Sequence, residues 1–396
     1  MATEPKSLEI YIDGLDHGGA EHLLLSMLPT LKKSFPDLMI VTFRGDFPLT
    51  RKFEEYAQVK QESFLRIFRR LWQSESIAYV GLSKSIMLAT LVSVLRWSCR
   101  LPKRRIYCHE HTSFHYFSGR TGGLKKFFDF FYKKLIIVCL NRQLISYIIS
   151  TRSRKKELEV SVRCLTNTLL FPNSFSAETL AALLASRKSI KIHGDMGRRQ
   201  FRMFTLSRLD PVKQLTWAID AAHLVALKNP AWQVSLEICG KGPDLTRLSA
   251  HLESCRPLEN LQVVFAGFVG SILDLLVRTD LFLFPSRVEG FPLSLTEAAL
   301  SGIDCVATNC PHGPFDIAAH FPNVRLVDPP TRELFISEVV EHFETWKRRD
   351  ENFQRPLAGQ TWPSIEELTE RLVKYFQNAD RSSQASILDA ASSPVS

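Results

Sequence analysis

The sequence lacks several features that would assign the chain to a special class of protein. It has eight cysteines but no Cys-x-x-Cys pair, and no Cys/His set is spaced for zinc. No Asp-x-Asp sequence occurs, and the 18 glycines and 20 prolines are not periodic. The composition, 45% hydrophobic and 23% charged, excludes a wholly disordered or collagen-like chain and is typical of a soluble globular protein.

Targeting and membrane-spanning signals are also missing from the sequence. The first six residues contain no apolar stretch of the kind found in secretory signals. The most apolar run, residues 86–95, is far shorter than the ~20 residues that cross a bilayer. Most cysteines lie in apolar runs, where a thiol behaves as a small buried hydrophobe. We therefore expect a cytoplasmic protein with reduced cysteines, peripheral to the inner face of the membrane at most.

Acidic residues are scarce in the first half of the chain. Residues 1–200 contain 32 Lys/Arg and 17 Asp/Glu, a net charge of +15, whereas residues 201–396 contain 18 and 24, a net charge of −6. A basic surface attracts anionic partners such as membrane headgroups, nucleic acid or phosphorylated substrates. A solvated surface without a specific partner is the alternative interpretation.

Three basic segments of the first half combine cations with aromatic side chains. They are residues 64–72 (FLRIFRRLW), 101–107 (LPKRRIY) and 124–135 (LKKFFDFFYKKL). In the third segment, lysine pairs flank four phenylalanines, as in a helix that lies in a membrane interface. A core helix whose lysines extend to the surface is the alternative. Together the three segments favour contact with an anionic membrane surface.

A change of pattern near residue 200 divides the chain into two domains, as its length of 396 residues also suggests. The chain opens as strand, glycine turn, helix and strand. Beyond residue 200, apolar strands alternate with helices, a pattern typical of a parallel sheet covered on both faces. We predict domains over residues 1–175 and 201–362, a linker over 176–200, a helix over 363–379 that packs back on the first domain, and a disordered tail over 380–396.

Two short segments that follow strands of the second half carry residue types suited to phosphate. Arg208 and Lys213 flank a turn that opens a helix, and two cations beside a helix N-terminus suit a diphosphate. Gly240 and Gly242 form a turn (GKGP) that lets the backbone approach a ligand. This turn is neither a Walker A sequence nor a full dinucleotide fingerprint. Taken alone, the segment with Arg208 and Lys213 is better explained as a solvated basic turn, and the glycine turn as an ordinary loop.

A third segment, Pro285–Ala298 (PSRVEGFPLSLTEA), follows an apolar strand and leads into a helix. We expect Pro292 in the first turn of that helix. The free backbone amides expected at the helix start are those of Gly290, Phe291 and Leu293. Because a carboxylate offers two acceptor oxygens to neighbouring sugar hydroxyls, Glu289 is a candidate for binding a hexose and Glu297 for binding a ribose. Two helix-associated carboxylates are the alternative.

In this order, the three segments resemble the C-terminal domain of the GT-B glycosyltransferases, and in particular family four, the retaining nucleotide-sugar transferases. The following residues 311–317 (PHGPFDI) resemble that family's Gly-Pro-x-Glu-Ile turn, with Asp316 in place of Glu. The likeness extends from about residue 201 to 319. The likeness is specific because the three segments occur in the family's order, whereas single glycine motifs are common in unrelated proteins.

The first half resembles the family at fewer positions. Gly18 and Gly19 are similar to its first glycine turn, which would let the N-domain close on the donor phosphates. The segment 108–112 (CHEHT) resembles its strand-end histidine segment, so that His111, or alternatively His109, would lie near the reaction centre. Asn167 resembles the Asn of a hinge turn whose two prolines are threonines here.

The resemblance implies a role for each matched residue. Arg208 and Lys213 would neutralise the donor diphosphate, Glu297 would bind the ribose, and Glu289 with the amides after it would hold the transferred sugar. The implied catalytic residues are His111, Glu289, Arg208 and Lys213. The implied donor-binding residues are Gly18, Gly19, Arg208, Lys213, Gly240, Gly242, Glu289, Gly290, Phe291, Pro292, Leu293 and Glu297.

The resemblance also implies a GT-B architecture, with two α/β Rossmann-like domains facing across a cleft and a C-terminal helix returning toward the N-domain. The expected reaction is transfer of a sugar, with retention of configuration, from a nucleoside diphosphate sugar, most often UDP-linked. The acceptor would be lipid-linked or part of a lipopolysaccharide or polysaccharide at the cytoplasmic membrane face. No cofactor and no metal are expected, since the cations at residues 208 and 213 would stabilise the leaving diphosphate. The expected partners are the donor, the glycan or lipid-linked acceptor and an anionic membrane surface.

Two other functions are compatible with the sequence. The first is a sugar-nucleotide-binding scaffold of a polysaccharide assembly complex that has lost turnover, because His109, Thr166 and Thr168 leave room for divergence from the family in the N-domain. The second is nucleic-acid binding, suggested only by the charge of the first half. No recognised nucleic-acid module supports it, and we rank it last.

Overall fold

The computed structural model describes residues 7–16, 19–110, 123–163, 165, 167–186, 199–270, 272–349 and 361–378. The chain divides into two compact units, one formed by Met1–Ala177 with Pro363–Ser396 and the other by Glu178–Trp362. Each unit is built on one parallel sheet with helices, so the predicted α/β fold class is confirmed. The predicted tail at residues 380–396 lies outside the described residues.

The first unit contains a seven-stranded parallel sheet with the strand order β3-β2-β1-β4-β5-β6-β7. Its elements are β1 (Ser7–Ile12), α1 (Gly19–Ser34), β2 (Asp37–Phe43), α2 (Thr50–Glu54), β3 (Gln58–Glu62), α3 (Phe64–Gln73), β4 (Ile77–Gly81), α4 (Ser83–Ser98), β5 (Ile106–Glu110), α5 (Gly123–Asn141), β6 (Ser146–Ile149), α6 (Arg152–Ser161) and β7 (Thr168–Leu170).

Apolar side chains on both faces of this sheet form two separate cores. Alternation along β1 sends Ile10 to one face and Tyr11 to the other, as expected for a strand covered on both sides. The core around Ile10 includes the apolar face of the last helix, which packs against α1 and contributes Leu372 and Phe376. The chain therefore returns to the first unit after Trp362, which belongs to the second.

The second unit contains a six-stranded parallel sheet with the strand order β10-β9-β8-β11-β12-β13. Its elements are α7 (Ala177–Ser186), which begins at the unit boundary, β8 (Gln200–Leu206), a 3₁₀ turn (Pro211–Lys213), α8 (Thr216–Lys228), β9 (Gln233–Cys239), α9 (Leu245–Ser254), β10 (Leu261–Gly267), α10 (Leu273–Val277), β11 (Leu281–Phe284), α11 (Leu293–Ser301), β12 (Asp304–Thr308), α12 (Pro314–Ala318), β13 (Val324–Val327) and α13 (Arg332–Trp346). The final helix of the chain, α14, covers Ile365–Asn378.

The strand order of the second sheet reverses between β8 and β11. From β8 the chain continues to β9 and β10 on one side, then crosses to β11 on the other. In open parallel sheets, ligands bind beyond the carboxyl ends of the strands at such a switch point. The loops that follow β8 and β11 are therefore the positions at which a ligand site is expected. They carry the residues that the sequence singled out.

Candidate functional site

The loops after β8 and β11 meet through an ion pair at the switch point. Lys213 ends the 3₁₀ turn that follows β8, and Glu289 lies in the loop that follows β11. Lys213 Nζ lies 2.6 Å from Glu289 Oε1, and the two side chains are only 19% and 10% exposed. A second link joins the same loops, since the Arg287 N–H donates to the Val212 carbonyl at 2.9 Å. Two predicted site residues from separate loops are thus brought into direct contact.

Arg208, the other predicted phosphate cation, pairs with Asp210. Its Nη2 donates to Asp210 Oδ2 at 2.5 Å, and the arginine side chain is 58% exposed. Asp210 Oδ1 accepts from the Val212 N–H at 3.1 Å, and this bond caps the 3₁₀ turn that ends at Lys213. One carboxylate therefore orients one cation and fixes the backbone that carries the other. Sequence reasoning did not assign Asp210, although an Asp before Pro at a helix start is a known capping signal.

The start of α11 presents free backbone amides shortly after Glu289 in the chain. The first bond of the helix runs from the Thr296 N–H to the Pro292 carbonyl at 3.1 Å. The three amides at Leu293–Leu295 precede that bond, where helix N–H groups have no intrahelical acceptor. Pro292 itself is the N-cap residue with ψ of 89°, which corrects the prediction that it sits in the first helical turn. A residue with extended ψ ends the loop, and the helix begins one residue later.

Glu297 lies in the second turn of α11 and is half-buried. Burial raises the pKa of its carboxyl from 4.5 to about 7, because removal from water disfavours the charged form. The side chain makes no hydrogen bond or ion pair with any other described residue. A carboxyl group that titrates near neutrality, in a helix that follows the end of a parallel strand, is typical of a ligand-binding position.

Gly240 and Gly242 allow two loop backbones to touch. Gly240 has φ of +137°, and a Cβ there would lie 1.8 Å from the Ser207 carbonyl oxygen. A Cβ on Gly242 would lie 2.1 Å from the Leu209 carbonyl oxygen. These glycines thus hold the turn after β9 against the turn that carries Arg208. Their absence of side chains is explained by this packing, and their contact with a donor stays a prediction.

Phe291, a predicted donor-binding residue, is buried beneath the end of the second unit. Its ring centroid lies 6.0 Å from that of Trp362, which also packs against His320 and Phe321. This aromatic contact anchors the loop two residues before the helix begins at Leu293. No local sequence pattern indicates Trp362, because it comes 71 residues later in the chain and reaches the loop only by packing.

The candidate residues of the first unit are placed only in part. Gly18 and His111 lie outside the described residues, and Gly19 begins α1 with open space around its Cα. His109 is fully buried, and its Nδ1 shares a short hydrogen bond with the Tyr79 hydroxyl. The alternative assignment of His109 as the histidine near the reaction centre therefore conflicts with its position in the core of the sheet. The Asn167 carbonyl accepts from the Tyr147 N–H at 2.8 Å.

A cluster of metal-ligating residue types lies between α8 and α9. The ligand atoms of Asp220, His251 and Cys255 all lie within 4.8 Å of one another. His251 Nε2 is 2.8 Å from Asp220 Oδ1, and Arg332 donates to the other carboxylate oxygen at 2.9 Å. The sequence did not indicate this group, because its members are far apart in the chain and meet only where α8 packs against α9. The guanidinium and imidazole already satisfy the carboxylate.

No helix in the described part of the chain is long and apolar enough to cross a membrane. Seven of the eight cysteines fall within the described residues, and all seven are free thiols.

The second unit matches a known domain family. Residues 200–344 match the family model described as "Glycosyl transferases group 1", which covers both loops of the switch point. The chain is 27% identical over 141 residues to the UDP-Gal:alpha-D-GlcNAc-diphosphoundecaprenol alpha-1,3-galactosyltransferase of Escherichia coli, which covers 35% of this chain and 36% of that protein. It is 22% identical over 341 residues to the amylovoran biosynthesis glycosyltransferase AmsD of Erwinia amylovora, 84% of this chain and 88% of that protein.

The first curated relatives are matched over a minor part of their length, since the chain spans 37%, 13% and 36% of them. Similarity of structure extends over nearly the whole chain. HepE of Anabaena, solved in complex with UDP and glucose, superposes with a TM-score of 0.66 at 16% identity and covers 93% of this chain and 98% of its own. The resemblance inferred from the ordered motifs is confirmed at the level of fold. The chain therefore has the GT-B glycosyltransferase fold, and its residues 200–344 match the model of the glycosyl transferases group 1 family.

Proposed function

We propose that the protein is a retaining glycosyltransferase that moves a sugar from a nucleoside diphosphate sugar, a UDP-sugar, to a lipid-linked, lipopolysaccharide or polysaccharide acceptor. The observation that carries the proposal is the contact of Lys213 with Glu289 at the switch point of a sheet that matches group 1 glycosyl transferases. HepE, the structural neighbour, is in complex with UDP and glucose, which supports UDP as the nucleotide.

The chemistry follows from where charge develops when the sugar leaves. The bond between anomeric carbon and phosphate oxygen breaks, and the leaving nucleoside diphosphate gains negative charge. Arg208 and Lys213 are cations beside one turn, and the first amides of α11 are donors fixed by the helix. Preorganised charges and dipoles of this kind lower the barrier without rearranging during the reaction. Glu289 is then available to accept hydroxyl groups of the sugar, and Glu297 those of the ribose.

We further propose that the transfer needs no metal ion and that His111 acts near the reacting carbon. Lys213 and Arg208 supply the positive charge that a divalent ion provides in other transferases.

Retention would follow from attack of the acceptor on the face that the diphosphate leaves, with a donor phosphate oxygen receiving the acceptor proton. In glycoside hydrolases the distance between the two catalytic carboxyl groups predicts retention or inversion. That rule does not apply to Glu289 and Glu297, because neither is proposed as a nucleophile or as a general acid.

The proposed acceptor is attached to a lipid, and the first unit is proposed to contact the inner face of the cytoplasmic membrane. The relative from Escherichia coli is named for an acceptor linked to diphosphoundecaprenol. In the first unit, Phe64 and Leu65 at the start of α3 are 47% and 77% exposed beside exposed Arg66 and Arg69. Exposed apolar side chains flanked by cations are typical of a surface that binds anionic lipid.

A thermal-shift panel tests the donor site. UDP, GDP, ADP and their common sugar conjugates are compared on the wild-type chain, on Glu297→Ala and on Lys213→Ala. A ligand at 100 times its dissociation constant stabilises the folded state by about 2.7 kcal/mol, a readily measured shift. We expect a shift with UDP and UDP-sugars that both variants lose. A chain that binds no nucleotide at all contradicts the proposal.

Slow donor hydrolysis separates the transferase from the alternative, a catalytically inactive scaffold. Transferases release sugar to water at a low rate when no acceptor is present, whereas a scaffold that only holds the donor releases none. Nucleotide binding combined with the absence of hydrolysis, even at high enzyme concentration, would favour the scaffold.

Co-sedimentation with anionic vesicles tests the proposed membrane contact, and we expect it to be lost in high salt. Equal binding to neutral vesicles would contradict the electrostatic basis of that contact.

A further inference from the structure

The loop between β11 and α11 is held in place from three directions. Its contacts with the turn after β8, described above, are the first. The loop after β12 is the second, since the Glu289 N–H donates to the Pro311 carbonyl at 3.4 Å. A Cβ on Gly313 of that second loop would lie 2.3 Å from Pro292 Cδ, so the two loops are in close contact. The third direction is aromatic and comes from the end of the second unit.

The aromatic contact is made by Trp362, the last residue of the second unit. Its ring centroid lies 6.0 Å from that of Phe291, which is only 9% exposed. His320 and Phe321, which follow α12, pack against the same indole with centroids at 5.3 and 5.8 Å. Aromatic pairs at such distances contribute more than the area that they bury. Phe291 is therefore covered by a side chain that is itself held among aromatic rings.

Hydrogen bonds fix the backbone on both sides of Trp362. On one side, His320 Nε2 lies 2.8 Å from the Thr361 carbonyl oxygen. On the other side, the Ser174 hydroxyl donates to the Pro363 carbonyl. The indole thus extends from a backbone that is held at the residue before it and at the residue after it.

The segment that follows Trp362 is joined to the segment by which the chain leaves the first unit. The chain passes between the two units after Ala177 and again after Trp362. Within the first unit, the Ile365 N–H donates to the Phe175 carbonyl at 2.8 Å. The Ala177 N–H donates to Glu366 Oε2 at 3.1 Å. The residue that covers the loop after β11 is therefore the end of a firmly bonded stretch of chain.

The position of the contact indicates which part of the donor it affects. Phe291 lies two residues after Glu289, the carboxylate proposed to accept hydroxyl groups of the transferred sugar. Glu297, proposed to bind the ribose, lies in the second turn of α11. Arg208, proposed to meet the diphosphate, lies in a different loop and has its own partner in Asp210. Loss of the indole should therefore disturb the sugar position more than the nucleotide position.

We propose that Trp362 is a positioning residue for the transferred sugar. Its indole holds Phe291, and thereby the backbone that carries Glu289, in the geometry that binds the sugar of the donor. The inference deepens the proposed function and rests on its donor site. Small displacements of positioned groups are enough to weaken their interaction with a substrate. Binding of a UDP-sugar should consequently depend on Trp362 more strongly than binding of UDP.

Calorimetric titration of the full chain with UDP, UDP-glucose, UDP-galactose and UDP-N-acetylglucosamine tests the proposal. The quantity compared is the dissociation constant of the tightest conjugate divided by that of UDP. We expect Trp362→Leu to raise this ratio about 10-fold, the loss that follows when one hydrogen bond to a charged group is misplaced. Trp362→Phe keeps an aromatic ring against Phe291 and should restore the wild-type ratio.

A second variant removes the same contact from the side of the loop. Phe291→Leu should raise the ratio by a similar factor, and it keeps the test valid if Trp362→Leu does not fold. The double variant should be no worse than either single variant, because residues in direct contact do not act additively. Fully additive losses would mean that the two rings act on the sugar independently, which contradicts the proposal.

Trp232→Leu is the matched control. Trp232 is a half-buried indole of the same unit, between α8 and β9, and it packs against Phe343 and Trp346 with centroids at 5.4 and 5.7 Å. Urea unfolding should show a lower midpoint for both leucine variants, since each removes packed aromatic surface. A purely structural role of Trp362 would lower the midpoint and leave the ratio at its wild-type value.

Two outcomes would overturn the inference. Trp362→Leu could weaken UDP and its conjugates by the same factor, or Trp232→Leu could raise the ratio as much as Trp362→Leu does. A wild type that binds neither UDP nor a conjugate contradicts the donor site itself. Nucleotide binding with an unchanged ratio in Trp362→Leu refutes only the role of Trp362. The failure of the inference is therefore distinguishable from the failure of the proposed function.

Discussion

Lys213 and Glu289 form an ion pair of 2.6 Å between loops that are 76 residues apart in the chain. Both side chains are largely buried, so each charge depends on the other for compensation. Removing one partner of such a pair leaves a charge that is poorly solvated, and this costs more than the pair contributes. The pair therefore links the stability of the second unit to the position of the cation proposed to meet the donor phosphates.

Replacement of Lys213 by methionine should lower both stability and nucleotide affinity. We expect the free energy of unfolding to fall by about 1–3 kcal/mol, because the Glu289 carboxylate loses its charged partner. UDP affinity should fall about 10- to 100-fold, since a hydrogen bond to a charged group contributes about 1.5–3 kcal/mol. Urea unfolding and calorimetric titration measure the two effects.

Lys228→Met is the matched control for this change. Lys228 is an exposed lysine in the last turn of α8, on the same unit and with the same change of charge. It should alter stability by no more than about 0.5 kcal/mol and leave UDP affinity unchanged. An equal loss of affinity in both variants would show that the ion pair has no special part in binding.

Nucleotide affinity should rise with pH through the titration of Glu297. Its pKa of about 7 in the folded chain means that the carboxylate, the form that accepts two ribose hydroxyls, is a minor species at pH 6. Between pH 6 and 8 its ionised fraction rises about 10-fold, and the affinity for UDP should follow. Glu297→Gln should abolish that component of the profile. The comparison of variant with wild type cancels the titration of the phosphates themselves.

Titration of the Glu297 carboxyl also predicts how the stability of the fold changes with pH. The folded pKa lies above the usual value of 4.5, so the folded state binds more protons than the unfolded state between pH 4.5 and 7. The contribution of Glu297 is therefore fully present below pH 4.5 and is lost as the pH rises to 7. Chemical unfolding at pH 5 and pH 7 should show a smaller decline for Glu297→Gln than for the wild type. An identical decline in both would exclude Glu297 as the source.

The second unit was predicted closely from the sequence because its strands are short apolar runs with helices between them. Leu281–Phe284, for example, is an apolar run of four residues that forms a fully buried strand. Buried parallel strands give this signal whatever lies around them. Glu289 and Lys213 were recognised as site residues one by one. Their mutual contact was not predictable, because it depends on the strand order.

Residues 51–105 could not be assigned from the sequence, and the structure gives the reason. β3 (Gln58–Glu62) is an edge strand of mostly polar residues, so it has no alternating pattern. α4 packs against the sheet and against two helices, so apolar residues occur around much of its circumference and its helical period is weak.

Gly240→Ala should destabilise the second unit strongly. A Cβ at this position meets the Ser207 carbonyl oxygen at 1.8 Å, and φ of +137° is unfavourable for any other residue. We expect a loss of about 2–4 kcal/mol, as for other changes that force backbone apart or strain it. Urea unfolding measures the loss. Gly270→Ala is the control, since nothing lies within 4 Å of a Cβ there, and it should change stability by about 0.5 kcal/mol or less.

The Asp210 carboxylate both caps the 3₁₀ turn and pairs with Arg208. Replacing it by asparagine or by alanine distinguishes these two roles. Asparagine keeps an oxygen that accepts from the Val212 N–H, and Asn and Asp are equally good caps, so stability should hold. Alanine loses the cap and should cost about 1 kcal/mol.

Both substitutions remove the negative charge beside Arg208, which competes with the donor diphosphate for that cation. At about 6 Å in water, one charge opposes another by roughly 0.7 kcal/mol, so UDP affinity should rise about threefold in Asp210→Asn. Calorimetric titration at low and high salt measures the gain, which screening should reduce. A loss of affinity in Asp210→Asn with unchanged stability would mean that the carboxylate serves to hold Arg208 toward the phosphates, and that its charge is tolerated because orientation matters more than repulsion.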